Sequence, residues 1–471
     1  MAYSREQALE LHKDYQETVN NWQYFVRSYN GGYDYTLGQY LNRYNLELDN
    51  EFNQRIANTP CDNHCKNIIQ IYSSFLFRVK ASRDFGNMQD EATLEKFLKD
   101  ADQEGNSFTT VMKQAQNYAS IYGHCFLILD KPAVQTKTKA EEIEQDIRPY
   151  LSMVTPENIF DWNFERKING KYELNYLKIR EEVDKSGGSY MRLWYPDRVD
   201  TIYVEERGKE PTLIDTATNQ IGKIPAVILY NAKSHKRGIG QSDLVDIADL
   251  QKAIYNEYSE IEQLIRLTNH PSLVKTNGVN ASAGAGAIIE MPDEMEPNLK
   301  PYLLQPSGQN LVAIMDSITK KVESINRIAH TGAGRTTRTQ VSSCIALQTE
   351  FELLNARLSE KADNLQLAEE QIFKLYADYQ NTKFDGEINY PDSFNIRDYA
   401  TDLVFYQQAK AVNVPSNTLN KEIDKEIARS VVDDDEKLSI IFDEIDSNAE
   451  VGQFTQDEPV QQDQEVEEEE V

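Results

Sequence analysis

Cysteine is nearly missing. Four thiols in 471 residues cannot staple a chain of this size, which excludes a disulfide framework and points to a reducing compartment. Bases are also scarce: Lys and Arg total 49 against 77 Asp and Glu, a net charge of −28. That balance excludes a broad surface for gripping nucleic acid, because such surfaces gain affinity by neutralising phosphates. A nucleic-acid partner must meet small local basic patches or pass without being held. No run of 18 apolar residues occurs, which excludes a transmembrane helix. The opening MAYSREQALELHKDYQE is polar, unlike a secretory leader, so a soluble protein made in a cytoplasm, with no membrane partner, is expected.

Signs of catalysis are lacking as well. No Gly-x-x-x-x-Gly-Lys-Ser/Thr occurs, and Gly332-Ala-Gly334-Arg335 follows a helical pattern, not a strand, without a Lys in register. No Asp or Glu pair is marked by local sequence as a general acid and base, so no enzyme is expected. Cys61, His64, Cys65, His124 and Cys125 include no second ligand pair at structural-zinc spacing. They read as structural thiols and a capping histidine, and neither metal nor cofactor is expected.

What is present is a globular composition, 40% hydrophobic and 27% charged, on a chain too long for one core. Two or three structural units are expected. Residues 4–60 read as polar helices, with Tyr15, Trp22, Tyr24, Phe25 and Tyr29 forming an aromatic face before Gly31–Gly32. Residues 62–81 form an apolar helix, and 91–120 form further helices with an N-cap at Ser107. The period changes at Gly123, and short strands rich in β-branched and aromatic residues run to about residue 230, interrupted by a charged insert at 135–147.

From Ser242 the pattern is helical until about Thr268, where His270-Pro271 stops it. Residues 271–305 look like a small β-type module with a Gly/Ala loop, and Ser307 caps a helix reaching about His330. After the loop Gly332–Gln340, Ser342 or Ser343 opens a helix of about ten turns that ends near Gln380. Helices are expected near 397–412 and 416–447. From Glu450 onward there are nine acids and no base, which predicts a disordered tail over 450–471.

At about 100° per residue, Asp246, Asp249, Glu257 and Glu260 share an arc of about 80° on one helix, beside an apolar stripe of Ile247, Leu250, Ile254, Tyr258, Ile261 and Ile265. An ordinary solvated face explains the arc. So does the wall of a wet channel, where carboxylates would repel a passing polyanion. The next helix has a seam of Leu311, Ile314, Ile318, Val322 and Ile325, while Lys320, Lys321 and Arg327 either pair with neighbouring acids or meet solvent. Arg335 and Arg338 stand in a loop without acids, which suits either weak phosphate contact or a plain surface turn.

Taken in order, these segments resemble the portal proteins of tailed bacteriophages, rings through which DNA enters and leaves the capsid. NYASIYGHCFLILD resembles the family's Tyr-Gly step from helix to strand, and MVTPENIFDWNFE its proline-containing strand. GKIPAVILYNAKSHKRGIGQSDLVDIADLQKAIYNEYSEIEQ resembles the strand, loop and Gly-x-Ser-Asp-Leu start of the first stem helix. VSSCIALQTEFELLNARLSEKADNLQLAEEQIF resembles the long helix after the tunnel loop. Many relatives have Ser-Gly-x-Ala-Leu there, and this chain reads SSCIAL, with Ser343 or Cys344 at the usual glycine.

The resemblance spans roughly residues 60–445 and implies an α+β, mainly helical portal-type ring subunit with an α/β wing, helical stem, small β-containing clip and helical crown. It assigns 1–241 to the wing, 242–269 and 307–331 to the stem, 270–306 to the clip and 332–341 to the tunnel loop. Residues 342–395 become the long wing helix and its return, and 396–449 the crown.

It further implies a homo-oligomeric ring of twelve subunits at a capsid vertex of the virion, assembled in the host cytoplasm, with double-stranded DNA passing through. Expected partners are the terminase large subunit, a head–tail adaptor protein and the major capsid protein. Arg335, Thr336, Thr337, Arg338 and Gln340 would form the tunnel loop at the DNA channel. Asp246, Asp249, Glu257, Glu260, Lys320 and Lys321 would line the stem. Asn280, Ser282, Asp293 and Glu294 would offer the clip docking surface. A head–tail adaptor is usually far shorter than this chain, and a scaffold would lack the sheet-rich middle.

Overall fold

The computed structural model describes residues 3–89, 91, 93–132, 139–185, 187–205, 208–269, 272–275, 296, 300–304, 309–331, 344–391, 393–394, 406–412, 414–432 and 435–447. The chain is α+β and divides into two compact units, Met1–Phe394 and Asn395–Val471.

The first unit begins with α1 (Arg5–Leu9), α2 (Lys13–Asn30), α3 (Gly32–Leu37), α4 (Asp49–Asn58) and α5 (His64–Leu76). Tyr15, Trp22 and Phe25 turn the aromatic face of α2 inward. Asn63 caps α5 by accepting from Lys66 N, and Ile68, Ile69, Tyr72 and Leu76 bury one helical stripe. After β1 (Ser82–Asp84) and α6 (Leu94–Lys99) comes α7 (Phe108–Tyr122), whose N-cap Ser107 accepts from Thr110 N as the sequence predicts.

Gly123 ends α7 in the left-handed region at φ 97°, and a Cβ there would stand 2.5 Å from Gly240 O. Only glycine allows that turn and that approach together. β2 (His124–Asp130) then lies between β3 (Tyr150–Val154) and β9 (Ala226–Tyr230) in an antiparallel sheet. Residues 124–129 are all buried, which explains their continuous apolar run. Between β2 and β3 lies the short α8 (Lys139–Glu144), within the expected charged insert.

A five-stranded antiparallel meander runs β4 (Ile159–Arg166), β5 (Tyr172–Val183), β6 (Ser189–Trp194), β7 (Arg198–Val204) and β8 (Thr212–Thr218). α9 (Ile247–Asn269) leads to β10 (Ser272–Val274), which pairs antiparallel with β11 (Tyr302–Leu304), and α10 (Gln309–Ile328) returns. The long α11 (Cys344–Gln380) packs on α5, β2 and β9, and β12 (Glu387–Asn389) pairs with β1. That last pairing joins segments some 300 residues apart, beyond the reach of local pattern.

In the second unit, residues 406–411 are helical and two helices follow, Asn417–Val431 and Asp435–Ser447. Ser416 caps the first of the two, and Lys425 ties them by reaching Asp446 at 2.9 Å.

Candidate functional site

α9 and α10 form an antiparallel hairpin of helices. Lys321 and Ser317 meet Glu257 midway, Asp246 shares a cleft with Ile328 and His330 at one end, and the β10–β11 ladder closes the other. Ile247, Ile254 and Ile261 of the predicted stripe are buried, together with Gln251, Tyr255 and Ser259. The buried polar groups have partners. Gln251 accepts from Cys65 N and donates to Ser28 O, both at 2.9 Å, which locks α9 against α2 and α5.

The acidic arc is not one open wall. Tyr24 donates to Asp249 at 3.0 Å and Tyr44 to Glu260 at 2.6 Å. Glu257 accepts from Ser317 at 2.8 Å and from Lys321 at 2.6 Å, and both members of this ion pair are three-quarters buried. Glu257 and Lys321 therefore face one another between the helices. A projection of one helix cannot register what packs on it. Asp246 and Asp249 are exposed, and Lys320 pairs with Asp316 on its own helix at 2.7 Å.

The root of the hairpin is fastened by a buried charge cluster. Ser242 donates to the α7 carbonyls of Ser120 (3.1 Å) and Ile121 (2.6 Å), and Asp243 N donates to Ser120 O at 3.0 Å. The Asp243 carboxylate accepts from Lys361 at 2.7 Å, Arg357 at 2.8 Å and Asn231 at 2.9 Å. Lys361 also bonds Asn231 Oδ1 and, at 3.3 Å, Ser120 Oγ. Burial alone would raise the Asp243 pKa, but Lys361 and then Arg357 hold it at about 2. Burial lowers that of Lys361.

These groups line a cleft of about 520 Å³ with Asp246, Ile328 and His330. α10 stops there in a Schellman turn: His330 takes φ 54°, His330 N donates to Arg327 O and Thr331 N to Asn326 O. Tyr72 donates to Ala329 O at 2.7 Å. The C-terminal end of α10, through Thr331, is thus held in place. The tunnel-loop candidates Arg335, Thr336, Thr337, Arg338 and Gln340, and the clip candidates Asn280, Ser282, Asp293 and Glu294, lie outside the described residues.

Sequence reasoning missed Lys361, although a signal was present. It occupies the apolar stripe of α11 between Leu358 and Leu365, where a lone cation needs a buried counter-charge.

Among the described residues no group of three or more His, Cys, Asp or Glu is placed to hold a metal ion. Burial raises the thiols of Cys61, to about 11, and Cys65. It also lowers His124 to about 3, so its imidazole is neutral and accepts from Gly240 N at 3.2 Å. No helix among the described residues is long and apolar enough to cross a membrane.

Residues 10–451 match the protein family described as "Phage portal protein, SPP1 Gp6-like". No curated protein matches the chain. Among solved structures, a chain of the virion of a native gene transfer agent particle is 10% identical, with 85% of this chain and 98% of that one covered and a TM-score of 0.43. A chain of the neck of an empty gene transfer agent particle, computed with C6 symmetry, is also 10% identical, with 86% and 96% covered and a TM-score of 0.43.

Proposed function

The chain belongs to the SPP1 Gp6-like phage portal protein family, and from that membership we propose that its copies close into the ring channel at one capsid vertex through which double-stranded DNA is packaged and ejected. Residues 242–269 and 307–331 form the stem, 270–306 the clip that docks the terminase motor and head–tail adaptor, 332–341 the tunnel loop and 396–449 the crown. Residues 1–241 and 342–395 form the wing toward the major capsid protein. Asp246, Asp249, Glu260 and Lys320 are then the candidates for the bore, with Arg335 and Arg338 reaching the DNA.

One observation carries the ring reading beyond family membership. The part of the α9–α10 pair toward β10–β11 exposes Leu267 (50%), Val312 (69%) and Met315 (55%). Apolar side chains at this density on a paired-helix surface favour burial against a neighbour. Helices packed between copies would also offset the repulsion among subunits that each carry −28. Negative-stain images of the purified protein test this directly. Annuli with a central hole are expected, and a monomer at all concentrations and inside assembled particles would refute it.

A further inference from the structure

A cleft of about 550 Å³ lies between the β4–β5 hairpin, β9 and α11, and the channel function leaves it unused. Its size falls in the range of roughly 300–1,000 Å³ usual for ligand clefts. Leu174, Ile224, Val227 and Leu375 give it an apolar floor, and Leu367 stands half-exposed at the rim. The rim carries Lys171, Lys223, Lys233 and Lys374. Lys223 pairs with Asp378, and Lys374 with Glu370 at 3.1 Å. Among the described residues, no carboxylate forms an ion pair with Lys171, Lys233 or the adjacent Arg237. On so acidic a chain, unneutralised cations gathered around an apolar floor are unusual.

Arg237 is held in advance. Its guanidinium lies 3.3 Å from the ring centroid of Tyr172, another lining residue, and its carbonyl accepts from the Trp162 indole at 3.2 Å. The next residue, Gly238, has φ 84°, and a Cβ there would stand 2.5 Å from Trp162 Nε1. The loop therefore depends on glycine to press Arg237 against the hairpin.

We propose that this cleft binds an acidic amphipathic peptide segment of another protein, its carboxylates on Lys171, Lys233 and Arg237 and its apolar side chains on the floor. A nucleic acid fits less well, because the aliphatic floor offers phosphates nothing while it takes the apolar side chains of a peptide.

The test uses the full chain and a fluorescein-labelled synthetic peptide with Leu at every third or fourth position and Glu elsewhere, followed by anisotropy. Saturable binding is expected, weaker for an all-Glu peptide and for a short DNA duplex. Lys171→Glu with Lys233→Glu should weaken it about tenfold or more, and Leu367→Asp should also weaken it. These side chains are exposed, so folding should survive, and Lys171→Gln with Lys233→Gln serves if the reversal does not fold. Absence of saturable binding, equal affinity of the variants, or tighter binding of the duplex through the same lysines would overturn the proposal.

Discussion

Lys361 holds its Nζ 2.7 Å from the carboxylate of Asp243, and both residues are almost wholly shielded from water, at 2% and 5% exposure. The pair joins the segment leading into α9 to the middle of the long helix α11. A buried ion pair is a weak net source of stability, yet stranding one partner is severe, at about 3–5 kcal/mol. Asp243→Asn leaves Lys361 beside Arg357 with no counter-charge and should approach that figure. Lys361→Met leaves Asp243 its bonds from Arg357 and Asn231 and should be milder. Urea unfolding of both variants checks the order. Losses below about 1 kcal/mol in each would mean that the cluster opens to water.

The same cluster sets an acid limit. Asp243 is held at about 2 against about 3.9 for an unfolded aspartate. A carboxyl depressed in the folded state adds stability above its unfolded pKa, and that stability disappears as pH falls through the folded one. Its contribution, about 2–3 kcal/mol near neutrality, should therefore vanish between about pH 4 and pH 2. Thermal melts across that window should fall more steeply for wild type than for Asp243→Asn. Parallel curves would contradict the assignment.

Much of this arrangement is legible in the sequence because it is local. The Ser107 cap, the strand step at Gly123 and the long helix from Cys344 follow from capping chemistry and a change of hydrophobic period. The β1–β12 ladder was not legible, since it joins distant segments and leaves no period, and the place of Lys361 in an apolar stripe calls for a counter-charge without naming Asp243. The partners of the acidic arc were not legible either. Tyr24, Tyr44 and Lys321 approach it from other elements, and no property of α9 announces them.

A second buried carboxylate fastens α11 to β1. Glu369 is fully buried on α11 and receives Arg83 through a two-pronged contact at 2.8 and 2.9 Å, with Tyr390 donating at 2.6 Å. Arg83→Lys keeps the charge but loses the fork, so it should lower stability measurably although the substitution looks conservative. Glu369→Gln should be worse, by about 3 kcal/mol or more, because Arg83 keeps its charge with no buried counter-charge. Unchanged melting of Arg83→Lys would show that a single contact suffices.

Replacing both Arg335 and Arg338 by Ala tests the tunnel-loop proposal. Among the described residues, the contacts that fix Ala329, His330 and Thr331 come from Tyr72 and from α10 itself. Rings should therefore assemble as in wild type, while packaging or retention of DNA in particles declines. Loss of ring formation in native mass measurements would assign the two arginines a structural part instead.

In the proposed ring, the Glu257–Lys321 pair decides what the stem shows to the bore. If Lys321→Glu sets two carboxylates face to face at a site three-quarters buried, the antiparallel pair should splay and rings should be lost. Exchange of the two charges, Glu257→Lys with Lys321→Glu, restores attraction across the same gap and should restore rings, because neither residue has to meet DNA. A bore-facing Glu257 predicts one difference: the exchanged rings would also assemble, but DNA passage through them would depend on salt, as phosphates contact the new lysine. Asp249→Lys is the matching probe on the exposed side. Among the described residues it forfeits only the Tyr24 hydrogen bond, so it should leave rings intact and change the salt dependence of DNA retention. If the exchanged pair altered retention while Asp249→Lys did not, the stem helices would have to be rotated about their axes from the orientation proposed for the ring.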